Sequence, residues 1–465
     1  MKIIMIVIIL NISFVEIIMG QSWQFFEVDD GVKPALKLDS KDIPNISFML
    51  EAQAGYIRHA VFNESTLIFD VSEISIGYFY GPLDLAIDTN DMPHINYHNH
   101  TFQDQVHFYL TDIGWIEDRI MDPGHDGWDN SIQIDANNNV HTSSIDPSGF
   151  GGDGVEYAYL DGSNWQVEAI GSGPIMYANT TSLALDKQGN PHITYYNDGT
   201  QDLMYATKDM GNWSITIVDS AGDVGQFSSL VLDSLDVPYI SYYQHLGDTI
   251  GVIKIAVWEN SEWNITNIDT LYYVSIGFTG ARNMTSLTLD TQMNLHLTYS
   301  DEKILKYANW NGSNWQRETI LDVSNTSTVL GQLTSLQLDT EGYVHVCYYE
   351  VTNIPLRGIV KYVTNKLITT VEHETNSKWN FELKQNFPNP FNPRTSIQYA
   401  VSSKQFVSLK VYDVLGSEVA ELVNEEKPAG NYEVEFDATN LSSGIYFYQL
   451  RAGNYVSVKK MVILH

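Results

Sequence analysis

An aspartate and a histidine six residues apart, Asp186 and His192 in "TSLALDKQGNPHITYYND", have the side chains for an acid-base pair or for two ligands of a metal ion. The pairing recurs along the chain. His94, His141, His192, His296 and His345 stand at the sixth position after Asp88, Asp135, Asp186, Asp290 and Asp339, while Asn45 and Tyr239 take that place after Asp39 and Asp233. One catalytic or metal centre is irregular by nature, so a motif copied along the chain argues for scaffold. An Asp ending one strand and a His opening the next can meet across a tight turn, and the expectation is a repeated Asp-to-His hydrogen bond.

The elements that must hold these pairs follow from the spacing. Successive aspartates are separated by 49, 47, 51, 47, 57 and 49 residues. A period near fifty with strand alternation and turn residues is the pattern of a propeller. Each unit reads as four strands, of the types "SLALD", "PHITYY", "LKYANW" and "WQRETILD", joined by turns such as "NGSNW". The fourth begins with Trp115, Trp165, Trp213, Trp263 or Trp315, and with Leu67 in the first unit. Those aromatics are expected to pack between units. The last unit has no fourth strand, but "SWQFFEVDD" at Ser22 to Asp30 matches "NWSITIVDS", with Trp23 over Trp213. The expected fold is therefore all-β: a seven-bladed β-propeller at 21–364 whose N-terminal strand completes the last blade and removes two open sheet edges.

Antiparallel strands place alternate connections at opposite ends of such a fold. Turns from first to second and third to fourth strand are short and uniform. The other connections vary, and binding residues favour variable loops on a repeat scaffold. They carry Tyr78, Tyr80, Asp126, Trp128, Tyr177, Phe227, Tyr272 and Tyr273, the candidate ligand contacts. Aromatic faces and carboxylates together suit sugar rings. "DPSGFGGDG" and "DPGHDGWDN" bring oxygen ligands near glycines, as calcium loops do, but neither has the full EF-hand spacing, so no cofactor is expected. The three-arginine site and S-x-D-x-G-x-x-W boxes of sialidase-type propellers are missing. The leading functional expectation is a binding module for glycan or protein; the alternative is a carbohydrate-active enzyme, a glycoside hydrolase or polysaccharide lyase, with no catalytic pair identifiable.

The chain of 465 residues has a formal charge of -32, and residues 381–465 contribute little of it, with 8 basic against 9 acidic side chains. So acidic a body repels nucleic acid and anionic membrane surfaces. The single Cys347 excludes an internal disulfide and reads as a small buried hydrophobe. Residues 1–20 join Lys2 to a short apolar run and end at Gly20, the form of a signal peptide. No later segment is long and apolar enough to span a membrane as a helix.

After a polar linker at 365–383, residues 384–465 alternate strands with glycine turns behind Pro388, Pro390 and Pro393, and an Ig-like β-sandwich is expected. "QNFPNPFNP", "VYDVLGSEV", "AGNYEVEFDA", "LSSGIYFYQL" and the terminal "KKMVIL" occur in that order. This segment closely resembles the type IX secretion system C-terminal sorting domain. The resemblance implies a bacterium related to the Bacteroidetes, passage through the periplasm, engagement of the type IX translocon and a destination outside the cell or on its surface. Residues 22–364 in turn resemble the BNR-like repeats of exported bacterial proteins, whose shared pattern is "SLALDxxGxPHISYY"; that likeness implies fold and no chemistry.

Overall fold

The computed structural model describes residues 23–464 apart from 51–54, 78, 102–103, 121–126, 147–153, 163, 172–180, 248–249, 273–284, 301–302, 332, 354–355, 369–381, 402–404, 415–416, 429 and 453–454. The predicted signal peptide and most of the linker thus lie outside the described residues. The chain divides into two compact units, Met1–Thr369 and Thr370–His465. Every named regular element is a strand.

In the first unit, six four-stranded antiparallel sheets follow one another, each in simple chain order: sheet 1 at 32–77, sheet 2 at 79–120, sheet 3 at 128–171, sheet 4 at 182–219, sheet 5 at 223–272 and sheet 6 at 285–322. Sheet 4 shows the plan, with strands Ser182–Leu185, Pro191–Asn197, Asp202–Asp209 and Asn212–Asp219. Alternation explains them: Leu183, Ile193 and Ala206 turn into one core while their neighbours turn away. Sheet 7 joins Val329–Leu330, Ser335–Leu338, Val344–Asn353 and Leu356–Thr364 to the N-terminal strand Gln24–Asp30. That strand runs antiparallel to Leu356–Thr364, with Gln24 opposite Thr364 and Asp29 opposite Val360.

The first strand of each sheet packs against the first strand of the next, and that of sheet 7 against that of sheet 1. This is a propeller-like arrangement. Repeated polar contacts tie the sheets together. The serine opening "SLxLD" accepts a hydrogen bond from a backbone N–H of the following sheet: Leu230 to Ser182 at 3.0 Å, Leu287 to Ser229 at 3.1 Å, Leu336 to Ser286 at 3.0 Å and, from sheet 1 to sheet 7, Leu36 to Ser335 at 3.1 Å. A second tier pairs hydroxyls, as in Ser143 with Thr181 and Thr194 with Ser228, both at 2.9 Å.

Among the described residues, ion pairs cross four junctions between the fourth strand of one sheet and the third of the next: Lys208 to Glu168 at 2.6 Å, Lys254 to Asp219 at 2.9 Å, Lys306 to Asp269 at 2.7 Å and Arg58 to Asp29 at 2.7 Å. The tryptophans pack edge-on against an aromatic ring of the preceding sheet, Trp213 on Tyr157 at 5.4 Å and Trp263 on Tyr205 at 5.3 Å. Trp23 makes the same contact with Tyr307 at 5.7 Å. The first strand therefore carries both devices, a tryptophan toward sheet 6 and Asp29 toward sheet 1.

The second unit has two sheets. Glu382–Leu383, Arg394–Val401 and Gly430–Asp437 form one; Glu418–Lys427, Gln405–Tyr412, Gly444–Ala452 and Tyr455–Ile463 form the other, in that spatial order. Both feed one core, Ile397 and Val401 from the first meeting Leu409, Leu450 and Met461 from the second. The proline motif is tied to that core through Asn386, whose backbone N–H donates to the Tyr448 hydroxyl at 2.8 Å and whose amide donates to Pro388 O at 3.1 Å.

Candidate functional site

The recurring aspartates are turn staples. Asp186 Oδ1 accepts the N–H groups of Gln188 at 2.9 Å and Asn190 at 2.7 Å, and the two-and-four-residue pattern repeats from Asp39 to Asp339. The expected Asp-to-His hydrogen bond is corrected by the geometry. His Nε2 stands 3.4–3.9 Å from the carboxylate, and Nδ1 instead meets a side chain of the third strand: a tyrosine hydroxyl in four sheets, as in His141 with Tyr157 at 2.6 Å and His296 with Tyr307 at 2.5 Å, and the His107 imidazole at 2.9 Å for His94. A phenol from the neighbouring strand reaches the ring more squarely than a side chain already spent on two turn amides. Among the described residues no group of three His, Cys, Asp or Glu side chains is placed to hold a metal ion.

Burial keeps several imidazoles neutral, pushing His59 and His94 down to about 4 and His107 to about 3. An unfolded imidazole titrates near pH 6.5, so between that value and about 4 the unfolded chain binds more protons than the folded one. Stability from these groups is complete above pH 6.5 and is lost as the pH falls, at most about 3 kcal/mol for His59 and for His94 and about 5 kcal/mol for His107. Calorimetry should show a melting temperature that declines steadily from pH 7 toward pH 4; a flat profile across that window would contradict the burial of neutral histidines.

The sequence-predicted contacts fall unevenly. Tyr78, Asp126, Tyr177 and Tyr273 lie outside the described residues, as do the side chain of Tyr80 and most of both calcium-like loops. Trp128 is buried and stacks on His98 at 4.3 Å between ring centres. Phe227 is buried against Tyr243, and its carbonyl accepts a bond from the Thr285 hydroxyl at 2.9 Å. Tyr272, 61% exposed, ends the fourth strand of sheet 5. Trp128 opens sheet 3, while Phe227 and Tyr272 sit on the outermost two strands of sheet 5, so these three are not brought together.

What the structure does assemble on the variable end is a polar cluster between sheets 4 and 5 that the sequence reading missed. Asp223 Oδ1 accepts the Tyr196 hydroxyl at 2.7 Å and the Gln226 amide at 3.1 Å, which fixes the carboxylate and leaves Oδ2 without a hydrogen bond among the described residues. Beside it the Tyr243 hydroxyl is buried without a partner among the described residues, and His245 Nδ1 also has none there. Burial first, then the Asp223 charge, push the Tyr243 phenol up to about 12. The Tyr243 ring lies so close over Gly251 that a Cβ there would come within 1.9 Å of it. One carboxylate oxygen, one phenol and one imidazole nitrogen thus stand unspent among the described residues. Such a set matches sugar hydroxyls, which donate and accept together. The signal that could have found it is the double tyrosine of "ITYYN" and "ISYYQ", whose second ring reaches the variable end.

Residues 385–464 match the family described as "Secretion system C-terminal sorting domain". The tail is a type IX sorting domain, and the chain is exported to the cell surface or the extracellular space. No curated protein matches the sequence. Among solved structures the chain is similar to SapL1 lectin in complex with alpha methyl fucoside, at 13% identity over 64% of this chain and 97% of that one, TM-score 0.44. It is also similar to AofleA from Arthrobotrys oligospora, at 12% identity over 64% and 89%, TM-score 0.44. Polysaccharide lyase Uly1 matches at 10% identity over 75% and 94%, TM-score 0.44. Likenesses at this level carry no argument about what this chain binds.

Proposed function

We propose that this protein is an exported binding module, a seven-bladed β-propeller of BNR-like repeats at 21–364 that takes a glycan on its variable-loop face. Residues 1–20 act as the signal peptide, and an Ig-like sandwich at 384–465 engages the type IX translocon. One contrast carries the reading. At the uniform end the Asp carboxylates are consumed by the same turn bonds from sheet to sheet, whereas at the variable end Asp223, Tyr243 and His245 keep hydrogen-bonding capacity unspent among the described residues. The loop residues Tyr78, Tyr80, Asp126, Tyr177, Tyr272 and Tyr273 would extend that surface with aromatic faces, and Trp128 and Phe227 would support it from beneath. A protein ligand is the other occupant of the same face.

A glycan array run beside turnover assays on the same polysaccharides tests the proposal. Binding without product is expected. Asp223→Asn should weaken the selected glycan at least tenfold, because a hydrogen bond to a charged group contributes about 1.5–3 kcal/mol. A chain that binds no saccharide, or an Asp223→Asn variant that binds as the parent does, overturns the assignment. A second reading, a carbohydrate-active enzyme, is favoured by the proximity of the Tyr243 phenol to an unpaired imidazole nitrogen and carboxylate oxygen, groups that suit acid-base work. Product formation lost in Tyr243→Phe would establish it over a pure binder.

A further inference from the structure

The first strands of all the sheets enclose a cavity of about 360 Å³, within the roughly 300–1,000 Å³ range of small-molecule sites. It is distinct from the Asp223 cluster. Most of its hydroxyls are spent in the bonds between sheets, but one layer of longer polar side chains is not. Lys37, Gln133, Thr288 and Gln337 occupy the same repeat position, two residues before the aspartate, on four different sheets. The leucine or isoleucine ahead of each is buried in the core, and strand alternation turns these four the other way, into the cavity they line. None of the four side chains has a hydrogen bond or ion pair among the described residues. Among the described residues the one carboxylate in the lining, Asp84, is already held by the backbone N–H groups of Leu85 at 2.9 Å and Ile132 at 3.0 Å and by the Ser131 hydroxyl at 3.1 Å. It does not pair with Lys37.

We propose that this cavity binds a small hydroxylated carboxylate, its anionic end on Lys37. An ammonium flanked by carboxamides and a hydroxyl offers several donors to one oxyanion, and a charge-assisted hydrogen bond is about twice as strong as a neutral one. Further along the cavity Asn130, 6% exposed, directs its amide nitrogen to Gly127 O at 3.0 Å and leaves Oδ1 without a partner among the described residues. That oxygen needs a donor from the ligand, which a hydroxyl supplies and a bare inorganic anion does not. The corresponding residues on sheets 4 and 5 are Ala184 and Val231, which leave room opposite the ammonium.

Sodium gluconate is the probe, titrated calorimetrically into the full mature chain at constant ionic strength, with glucose and sodium chloride as controls. Saturable gluconate binding in the millimolar range or tighter is expected, with glucose at least tenfold weaker. Lys37→Met should weaken gluconate at least tenfold while the ligand-free melting curve stays in place, and Lys37→Arg, which keeps the charge, should retain most of the affinity. Absence of saturable heat with gluconate, equal binding of glucose, or unchanged gluconate affinity in Lys37→Met would each overturn the proposal. A Lys37→Met chain that fails to fold transfers the test to Gln337→Leu, which should weaken gluconate severalfold; unchanged affinity there would overturn it too.

Discussion

A chain lacking residues 24–30 is expected to lose its cooperative melting transition. The deleted strand contributes Phe26 and Val28 to one buried cluster and carries Asp29, the partner of Arg58, and its removal uncovers the edge of Leu356–Thr364. Truncating a large buried hydrophobe costs about 2–5 kcal/mol, so two such losses together with a ladder of backbone hydrogen bonds approach the roughly 5–15 kcal/mol that holds a typical domain. The effect should far exceed that of trimming a surface strand. Trp23→Ala provides the graded version, with an expected loss of about 3–5 kcal/mol, since its ring is buried against Tyr307. Differential scanning calorimetry checks both. A deletion variant that melts as the parent does would show that the first strand is an ornament and the circuit of sheets does not depend on it.

Lys254→Ala is expected to lower stability by about 3–5 kcal/mol, as breaking one side of a buried ion pair does. Lys254 is 7% exposed, and its ammonium donates to Asp219 Oδ2 at 2.9 Å, the same oxygen that accepts the Tyr242 hydroxyl at 2.7 Å. Burial pushes the Asp219 carboxyl up, but Lys254, Tyr242 and the Ala221 amide together outweigh it and hold the group below the ordinary carboxylate range. Removing the ammonium leaves a buried carboxylate with hydroxyl and amide donors only. Asp219→Asn combined with Lys254→Met should recover much of the loss, because neither partner is then left charged. Urea titration of Lys254→Ala and of the double variant measures this directly. A single-variant loss near that of an exposed pair, about 0–1 kcal/mol, would contradict the burial.

The scaffold was legible because it is written in copies. The Asp turn, the tryptophan opening the fourth strand and the match of Trp23 to Trp213 each occur at a fixed place in the period, and repetition separated them from chance. The partner of the histidine was harder to read. It comes from the third strand, and a six-residue spacing within one hairpin carries no information about which hydroxyl a neighbouring strand will present. The polar cluster escaped for a related reason. Tyr196 and Tyr243 belong to the repeat, Asp223 and His245 flank variable connections, and only folding brings the four to one junction. Trp128 and Phe227 belong to the loop aromatics in sequence, yet Trp128 opens a first strand, Phe227 lies within one, and both are buried, because the core of a sheet continues up to where its connection begins.

Hydrogen–deuterium exchange of the full mature chain, with and without the glycan selected on the array, tests the central claim most directly. Ligand should slow exchange in peptides covering 219–227 and 243–251, at the variable end, and leave the Asp turns at 135–139 and 186–190 unchanged. Protection confined to those turns, or none at 219–227, would contradict the placement of the binding face.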